Sequence, residues 1–213
     1  MNYFGEILPA LLQGAGMTLK VFFFTLLGAI PLGIFIAFVL QTRFKPLRYL
    51  IDLYIWLMRG TPLLLQLIFV FYGLPLIGLV FERYDAAIFA FILNYAAYFA
   101  EIFRGGIAAI PQGQYEAAKV LRLTPFQTVT RIILPQVIKI VLPSIGNEVI
   151  NLVKDTSLIY VIGLGDLLRA GKIAMSRDVT LLPLVLVGTL YLLFTAILTF
   201  AVKKFEKFYQ YYK

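Results

Sequence analysis

Long apolar stretches separated by short charged segments occupy almost the whole chain. Three of them, at 21–42, 60–81 and 179–202, contain no charged residue, and a helix needs about 20 apolar residues to cross ~30 Å of hydrocarbon. Two further stretches are interrupted, one by Glu101 and the other by Lys139 and Glu148. The pattern therefore predicts five membrane-spanning helices, at about residues 17–42, 54–80, 86–106, 130–153 and 179–203.

The apolar stretches are continuous and rich in Leu, Ile and Phe, whereas the wall of a β-barrel alternates apolar with polar residues. With 61% hydrophobic and 14% charged residues, the composition lies outside the range of soluble domains. We therefore predict an all-α membrane protein that forms one domain over residues 1–213. The first apolar stretch is full length and lacks the basic head of a secretory signal, so we expect the N-terminus to be retained.

The chemistry available to the chain is limited, because the chain has neither cysteine nor histidine. This excludes disulfides, thiolate and imidazole metal ligands, and the commonest catalytic bases. We expect no catalytic residue, no metal site and no cofactor in this chain.

Basic residues are unevenly distributed between the two sets of alternating loops. The segments at 41–49, 104–131 and 203–213 hold eleven basic residues against two acidic ones, whereas those near 82–85 and at 154–178 hold five of each. The positive-inside rule places the first set in the cytoplasm. We thus predict a multi-pass protein of the bacterial inner membrane, with its N-terminus outside and its C-terminus inside. The net charge of +8 then reflects topology in a lipid bilayer, and no nucleic-acid partner is expected.

A polar island, EAAKVLRLTPFQTVTRIILP at 116–135, lies between the third and fourth spans. After a turn at Pro111, good helix formers predict a short helix at about 114–122. Thr124 followed by Pro125 is typical of a helix N-cap and first position, so a second helix is expected to begin there and enter the membrane.

The island resembles the Glu-Ala-Ala loop of ABC importer permeases. Glu116-Ala117-Ala118, Ile132, Leu134 and Pro135 stand at the spacing of that motif. Segments at 58–62, 97–107 and 154–163 also resemble the polar amino acid branch of these permeases, and the resemblance runs from about Gly14 to Lys204.

This resemblance implies the type I ABC importer permease fold, with a cytoplasmic coupling helix that docks in a cleft of the ATPase. It implies as partners an ATPase dimer that binds ATP and Mg²⁺, a second permease subunit, identical or not, and an extracytoplasmic amino acid-binding protein. Since the chain lacks the Gly-x-x-x-x-Gly-Lys-Ser/Thr loop, ATP must be hydrolysed by another chain. The expected ATPase-coupling residues are Tyr115, Glu116, Ala117, Ala118, Leu121 and Arg122.

Arg122 stands where the family motif has glycine. A left-handed turn there costs an ordinary residue roughly 1–2 kcal/mol. We therefore expect the turn after the coupling helix to depart from that of the relatives.

Polar side chains within the spans suggest a substrate path, because such groups are costly in lipid and normally face a bundle interior. Asn94, Tyr98 and Glu101 share one face of the third span, and Glu101 is the first candidate for a substrate ammonium group, helped by the other two. On the fourth span Glu148 and Asp155 share a stripe, with Asn147, Asn151 and Lys154 on the adjacent one.

We expect the fourth helix to break after Asp155, where the hydroxyls of Thr156 and Ser157 are candidates to bind a substrate carboxylate. Glu148 would then be available for a side-chain charge, which favours a cationic substrate such as arginine, lysine or histidine.

Each of these residues also has a structural interpretation. Glu101 could pair with Arg104, Asp155 with Lys154, and the asparagines could join helices. Two other classes of protein compete with the importer. An ion-coupled secondary transporter would use Glu101 and Glu148 as ion sites but should show repeated halves, and a membrane-embedded enzyme would need clustered catalytic groups.

Overall fold

A computed structural model describes residues 3–209 of the chain, with Phe4 described in its backbone only. Residues 1–2 and 210–213, which include both termini whose sides were predicted above, lie outside the described residues. The α-helices are α1 (Tyr3–Val39), α2 (Lys45–Gly60), α3 (Leu63–Ile68), α4 (Arg83–Ala108), α5 (Gln112–Val120), α6 (Pro125–Thr128), α7 (Leu134–Asp155), α8 (Leu167–Asp178) and α9 (Leu182–Tyr209).

Two of the spans contain other helix types. After α3 the chain continues as a π-helix (Phe69–Gly73) and a 3₁₀-helix (Leu74–Ile77). Between α6 and α7 lies a second π-helix (Val129–Ile133), and α7 passes into a 3₁₀-helix (Thr156–Ile162). The fourth span is therefore one continuous helix from Pro125 to Ile162, the rod, with the π-helix near its start and the 3₁₀-helix at its end.

Within the described residues, four helices are long and apolar enough to cross a membrane, namely Gly5–Val39, Arg83–Ala108, Pro125–Ile162 and Leu182–Tyr209. A fifth span is possible only as the pair Lys45–Gly60 and Leu63–Ile77, which is bent by 106°. The predicted all-α membrane class is confirmed. The second span, predicted over 54–80, is bent at Pro62, because this residue has no backbone N–H and takes an extended conformation before α3.

The first helix begins at Tyr3, well before the predicted start near residue 17. The early part contains Gly5, Glu6 and Pro9, so its hydropathy is interrupted. Tertiary packing compensates, since Ile7 and Leu11 are buried against α8 and α9.

The centre of the fold is α4, whose buried face is rich in alanine. Small residues allow helix backbones to approach closely within a membrane. Gly33 of α1 shows how close the approach is, because a Cβ there would lie 2.6 Å from the Cβ of Phe99 and 3.0 Å from the carbonyl oxygen of Ala96.

The segment at 163–178, expected as a loop, contains α8 and packs on the start of α1. Asp166 caps α8 by accepting hydrogen bonds from the N–H groups of Leu168 and Arg169, at 3.0 and 3.2 Å. Burial raises the pKa of Asp166 to about 6, although these N–H donors oppose the shift. Gly14 of α1 approaches so closely that a Cβ there would lie 2.7 Å from the carbonyl oxygen of Asp166.

Candidate functional site

A cavity of about 470 Å³ lies between α3, α4 and α7, within the size range of small-molecule sites. The bend of the second span, Thr61–Leu64, and Leu158 form part of its wall. Its other lining side chains come from two helices: Asn94, Tyr95, Tyr98, Glu148, Asn151 and Asp155. Four of the seven predicted substrate residues, Asn94, Tyr98, Glu148 and Asp155, are thus brought together.

The α7 wall of this cavity is acidic. Glu148, Asn151 and Asp155 recur at helical spacing along one face, and the lining includes no lysine or arginine. Asp155 accepts a hydrogen bond of 2.7 Å from the hydroxyl of Tyr95. Sequence reasoning placed Asn151 on the neighbouring stripe and missed Tyr95, although a tyrosine in an Ala-rich helix face is a usable signal. The arrangement suits a ligand that carries positive charge.

Glu101, the first sequence candidate, does not line the cavity. Arg104 donates to both of its carboxylate oxygens, at 2.8 and 2.5 Å, and an Arg59 nitrogen lies 3.8 Å away. Arg59 also packs over the ring of Tyr98, with Cζ 5.4 Å from the ring centre. The structure therefore places Glu101 in the ion pair that was its structural alternative.

Asn94 holds the bend of the second span while lining the cavity. Its Nδ2 donates to the carbonyl oxygen of Met58 and to Oε1 of Gln66, both at 3.0 Å. Gln66 in turn donates to Met58 and to both the carbonyl and the hydroxyl oxygen of Thr61. Asn94 is only 3% exposed, and these bonds join its amide group to α2 and α3.

A break of the fourth helix was predicted after Asp155; in the structure α7 ends there and passes directly into the 3₁₀-helix that begins at Thr156, so the helix changes type without interruption. Thr156 is fully buried, and its hydroxyl donates to the carbonyl oxygen of Val153 at 2.7 Å. Neither Thr156 nor Ser157 lines the cavity. The hydroxyls expected to bind a substrate carboxylate are thus turned away from it.

The predicted cytoplasmic helix is α5, which begins two residues before the expected start. Ala118 is buried and Tyr115 half-buried, whereas Glu116 and Ala117 are exposed. Beside them lies a patch of large apolar side chains, with Val120 82%, Leu121 68% and Phe126 77% exposed. Such a patch in a polar loop is typical of a surface that contacts a protein or a membrane. Sequence reasoning missed Val120 and Phe126, because a valine and a phenylalanine there also suit a buried face.

The turn after α5 keeps the geometry that glycine would allow. Arg122 has φ 55°, in the left-handed region. The N–H of Leu123 bonds to the carbonyl of Ala118 and that of Arg122 to the carbonyl of Lys119, each at 3.0 Å, which is a Schellman helix end. The expected departure is therefore absent from the backbone conformation, since these bonds hold Arg122 in place.

The helix start predicted at Thr124 is confirmed. Thr124 accepts a bond from the N–H of Gln127 and the Gln127 side chain accepts one from the N–H of Thr124, at 3.2 and 2.9 Å, which completes a capping box. The side chains of Gln136 and Gln114, 3.3 Å apart, tie α7 to α5. Force on α5 can thus reach the rod that carries Glu148 and Asp155.

The chain is similar to known membrane transport proteins over nearly its whole length. A family model described as the binding-protein-dependent transport system inner membrane component matches residues 29–210. The arginine transport system permease protein ArtQ of Bacillus subtilis (strain 168) is 39% identical over 202 residues, covering 94% of this chain and 92% of the relative. The putative glutamine transport system permease protein GlnP of Rickettsia bellii (strain RML369-C) is 33% identical over 199 residues, covering 92% and 91%.

Solved structures agree with these relatives. The crystal structure of an amino acid ABC transporter with histidines matches with a TM-score of 0.89 at 33% identity, covering 97% of this chain and 98% of that chain. The inward-facing MetNI methionine ABC transporter matches with a TM-score of 0.76 at 19% identity, covering 98% and 99%, which shows a shared fold.

These matches, to a chain whose helices are long and apolar enough to cross a membrane, identify a multi-pass permease with the type I ABC importer fold. The chain belongs to the family of inner membrane components of binding-protein-dependent transport systems. The resemblance to the polar amino acid branch of ABC importer permeases is confirmed.

Proposed function

We propose that this chain is the membrane subunit of an ATP-driven importer that passes a polar, cationic amino acid, such as arginine, lysine or histidine, across the inner membrane by alternating access. The observation that supports it most is the acidic cavity. Glu148 and Asp155 face the same space, and no basic side chain among the described residues lines it. A half-buried carboxylate pair with no cation in the cavity lining favours a positively charged ligand, and one relative is named for arginine transport.

In this proposal Glu148 and Asp155 bind the ligand's cationic groups, and the hydroxyl of Tyr95 orients the Asp155 carboxylate. Tyr98 supplies an aromatic face across the cavity, which can contact a cation through its ring. Glu101 is left out of the proposed binding set because its charge is already neutralised by Arg104.

ATP hydrolysis by a partner would act on the other end of the same rod. We propose that a cytoplasmic ATPase dimer, which binds the ATP and Mg²⁺, contacts Glu116 and Ala117 on the exposed face of α5 and Leu121 and Arg122 in the turn that follows it. Because Gln136 on α7 contacts Gln114 on α5, movement of α5 would tilt the rod and change access to the cavity.

The remaining partners follow from the family. A second permease subunit would complete the pathway, since the residues that the structure describes offer at most five spans. An extracytoplasmic binding protein would deliver the amino acid at the end of the bundle formed by α8 and the start of α1, with the N-terminus outside and the C-terminus in the cytoplasm.

Uptake by reconstituted vesicles tests the proposal. The full chain, purified with the subunits that accompany it, should take up radiolabelled arginine only when ATP is supplied. Glu148→Gln should lower arginine uptake at least tenfold, which is about 1.4 kcal/mol, and lower glutamine uptake much less. Asp52→Asn, an exposed acid outside the cavity, is the matched control and should behave as the unmodified chain.

Two results would overturn the proposal. Uptake driven by an ion gradient without any ATPase would favour a secondary transporter. Equal losses of arginine and glutamine uptake in Glu148→Gln would remove the cationic substrate, while ATP-dependent uptake would still support the importer.

A further inference from the structure

A second cavity, of about 530 Å³, lies at the opposite end of the rod from the acidic one. It is enclosed by the last turns of α1, the end of α4, Tyr115 of α5 and the π-helical start of the fourth span. Apart from Gln41, every lining side chain is aliphatic or aromatic. A cavity with this apolar lining does not suit a polar amino acid, so we do not assign it to the transport path.

The cavity opens sideways from the bundle. Phe38 of α1 is 50% exposed and Leu134 of α7 41% exposed at its edge, and both belong to spans. An unfilled apolar cavity loses dispersion contacts along its lining, and water does not occupy a space with so few polar partners. Hydrocarbon chains are the material that the surrounding bilayer supplies at this depth.

The charges next to the cavity suit an anionic headgroup. Gln41 lines the cavity, and Arg43 follows two residues later, so their Cα atoms lie within about 8 Å of each other. Among the described residues, neither Arg43 nor Lys45 has a carboxylate oxygen within 4.0 Å, whereas the next base, Arg48, pairs with Asp52 at 3.8 Å. Basic residues next to an anionic leaflet attract its headgroups.

We infer that this cavity binds an anionic phospholipid of the cytoplasmic leaflet, with one acyl chain between α1, α4 and the fourth span and the phosphate at Arg43 and Lys45. The inference goes beyond the proposed function, because binding requires neither ATP nor an amino acid. The position of the cavity matters for coupling between α5 and the fourth span. Tyr115 lies on one wall of the cavity, and Val129 and Ile133 of the π-helix lie on another. The acyl chain therefore fills the joint between α5 and the rod that carries the acidic cavity.

Lipid retention measures this binding directly. The full chain with its accompanying subunits is equilibrated in micelles containing equal phosphatidylglycerol and phosphatidylcholine, and the bound lipid is counted by native mass spectrometry. We expect retained phosphatidylglycerol in the unmodified protein. Ile34→Trp, which fills the cavity, should reduce it at least fivefold. Phe35→Trp, at the next position, 63% exposed and outside the lining, should not.

The headgroup is tested separately by Arg43→Gln with Lys45→Gln, two exposed substitutions that leave the packing intact. This double variant should lose phosphatidylglycerol at least fivefold while retaining the same amount of phosphatidylcholine, and it decides the question alone if Ile34→Trp fails to assemble. Equal retention in Ile34→Trp and Phe35→Trp, detergent as the only occupant, or no preference for phosphatidylglycerol would each overturn the inference. Because neither ATP nor substrate is present, such a failure leaves the proposed transport function untouched.

Discussion

Glu101 on α4 and Glu148 on α7 both interrupt apolar spans, and the sequence alone makes both of them candidates for contact with a substrate. In the fold their surroundings are opposite. Glu101 accepts two hydrogen bonds from Arg104 and lies 3.8 Å from Arg59. Glu148 faces a cavity together with Asp155 and has no basic residue beside it in the lining.

The difference teaches how to distinguish a structural carboxylate from a binding one in a membrane bundle. An ion pair within the protein satisfies its own charge, so mutation of either partner acts on stability. A carboxylate pair without a cation is unfavourable on its own because like charges repel. Such a pair is retained where a ligand supplies the missing charge, so its mutation should act on binding.

The largest expected effect comes from neutralising the cavity pair. Glu148→Gln with Asp155→Asn should reduce uptake of arginine about a hundredfold, or about 2.8 kcal/mol, because both countercharges are lost. The midpoint of thermal unfolding of the purified complex should not fall, since no ion pair is broken and an asparagine oxygen at position 155 can still accept the hydrogen bond from the Tyr95 hydroxyl. A fall in the midpoint with unchanged uptake would reverse the roles assigned to the two kinds of carboxylate.

A smaller effect of the opposite kind is expected at Glu101. Glu101→Ala leaves Arg104 and Arg59 without their countercharge and should destabilise the protein by about 2 kcal/mol, measured by chemical unfolding. Arginine uptake per folded molecule should remain within twofold. The exchanged pair Glu101→Arg with Arg104→Glu should recover part of the stability, and a hundredfold loss of uptake in Glu101→Ala would return Glu101 to the binding site.

The sequence predicted most of the fold because membrane-spanning helices are recognisable as long, continuous apolar stretches. The start of α1 and helix α8 escaped it, since they are held by packing of Ile7, Leu11 and Leu167 rather than by their own hydropathy. The size of the bend at Pro62, 106°, could not be predicted, because the hydrogen bonds of Gln66 and Asn94 that hold the bend join different helices.

The candidate site was predicted in part, for a similar reason. Helical spacing places Glu148 and Asp155 on one face, but it cannot show which neighbour that face meets. The rotation of α4 decides that Tyr95 reaches Asp155 while Glu101 stays outside the cavity lining, and the rotation is set by close packing of its alanines against α1. Sequence could not show that the hydroxyl of Thr156 bonds within its own helix turn and does not line the cavity.

The smallest expected effect tests the contact between the two walls of the cavity. Tyr95→Phe removes the hydroxyl that donates to Asp155 at 2.7 Å and leaves the ring in place. A hydrogen bond to a charged group contributes about 1.5–3 kcal/mol, but the carboxylate can turn to a bound cation instead, so we expect arginine uptake to fall only three- to fivefold, through a higher KM. Tyr54→Phe is the matched control, because its hydroxyl bonds to the carbonyl oxygen of Leu93 on α4, away from the cavity lining. If both variants changed the KM equally, Tyr95 would act through the packing of α4, and Asp155 would be left to bind the ligand without an orienting partner.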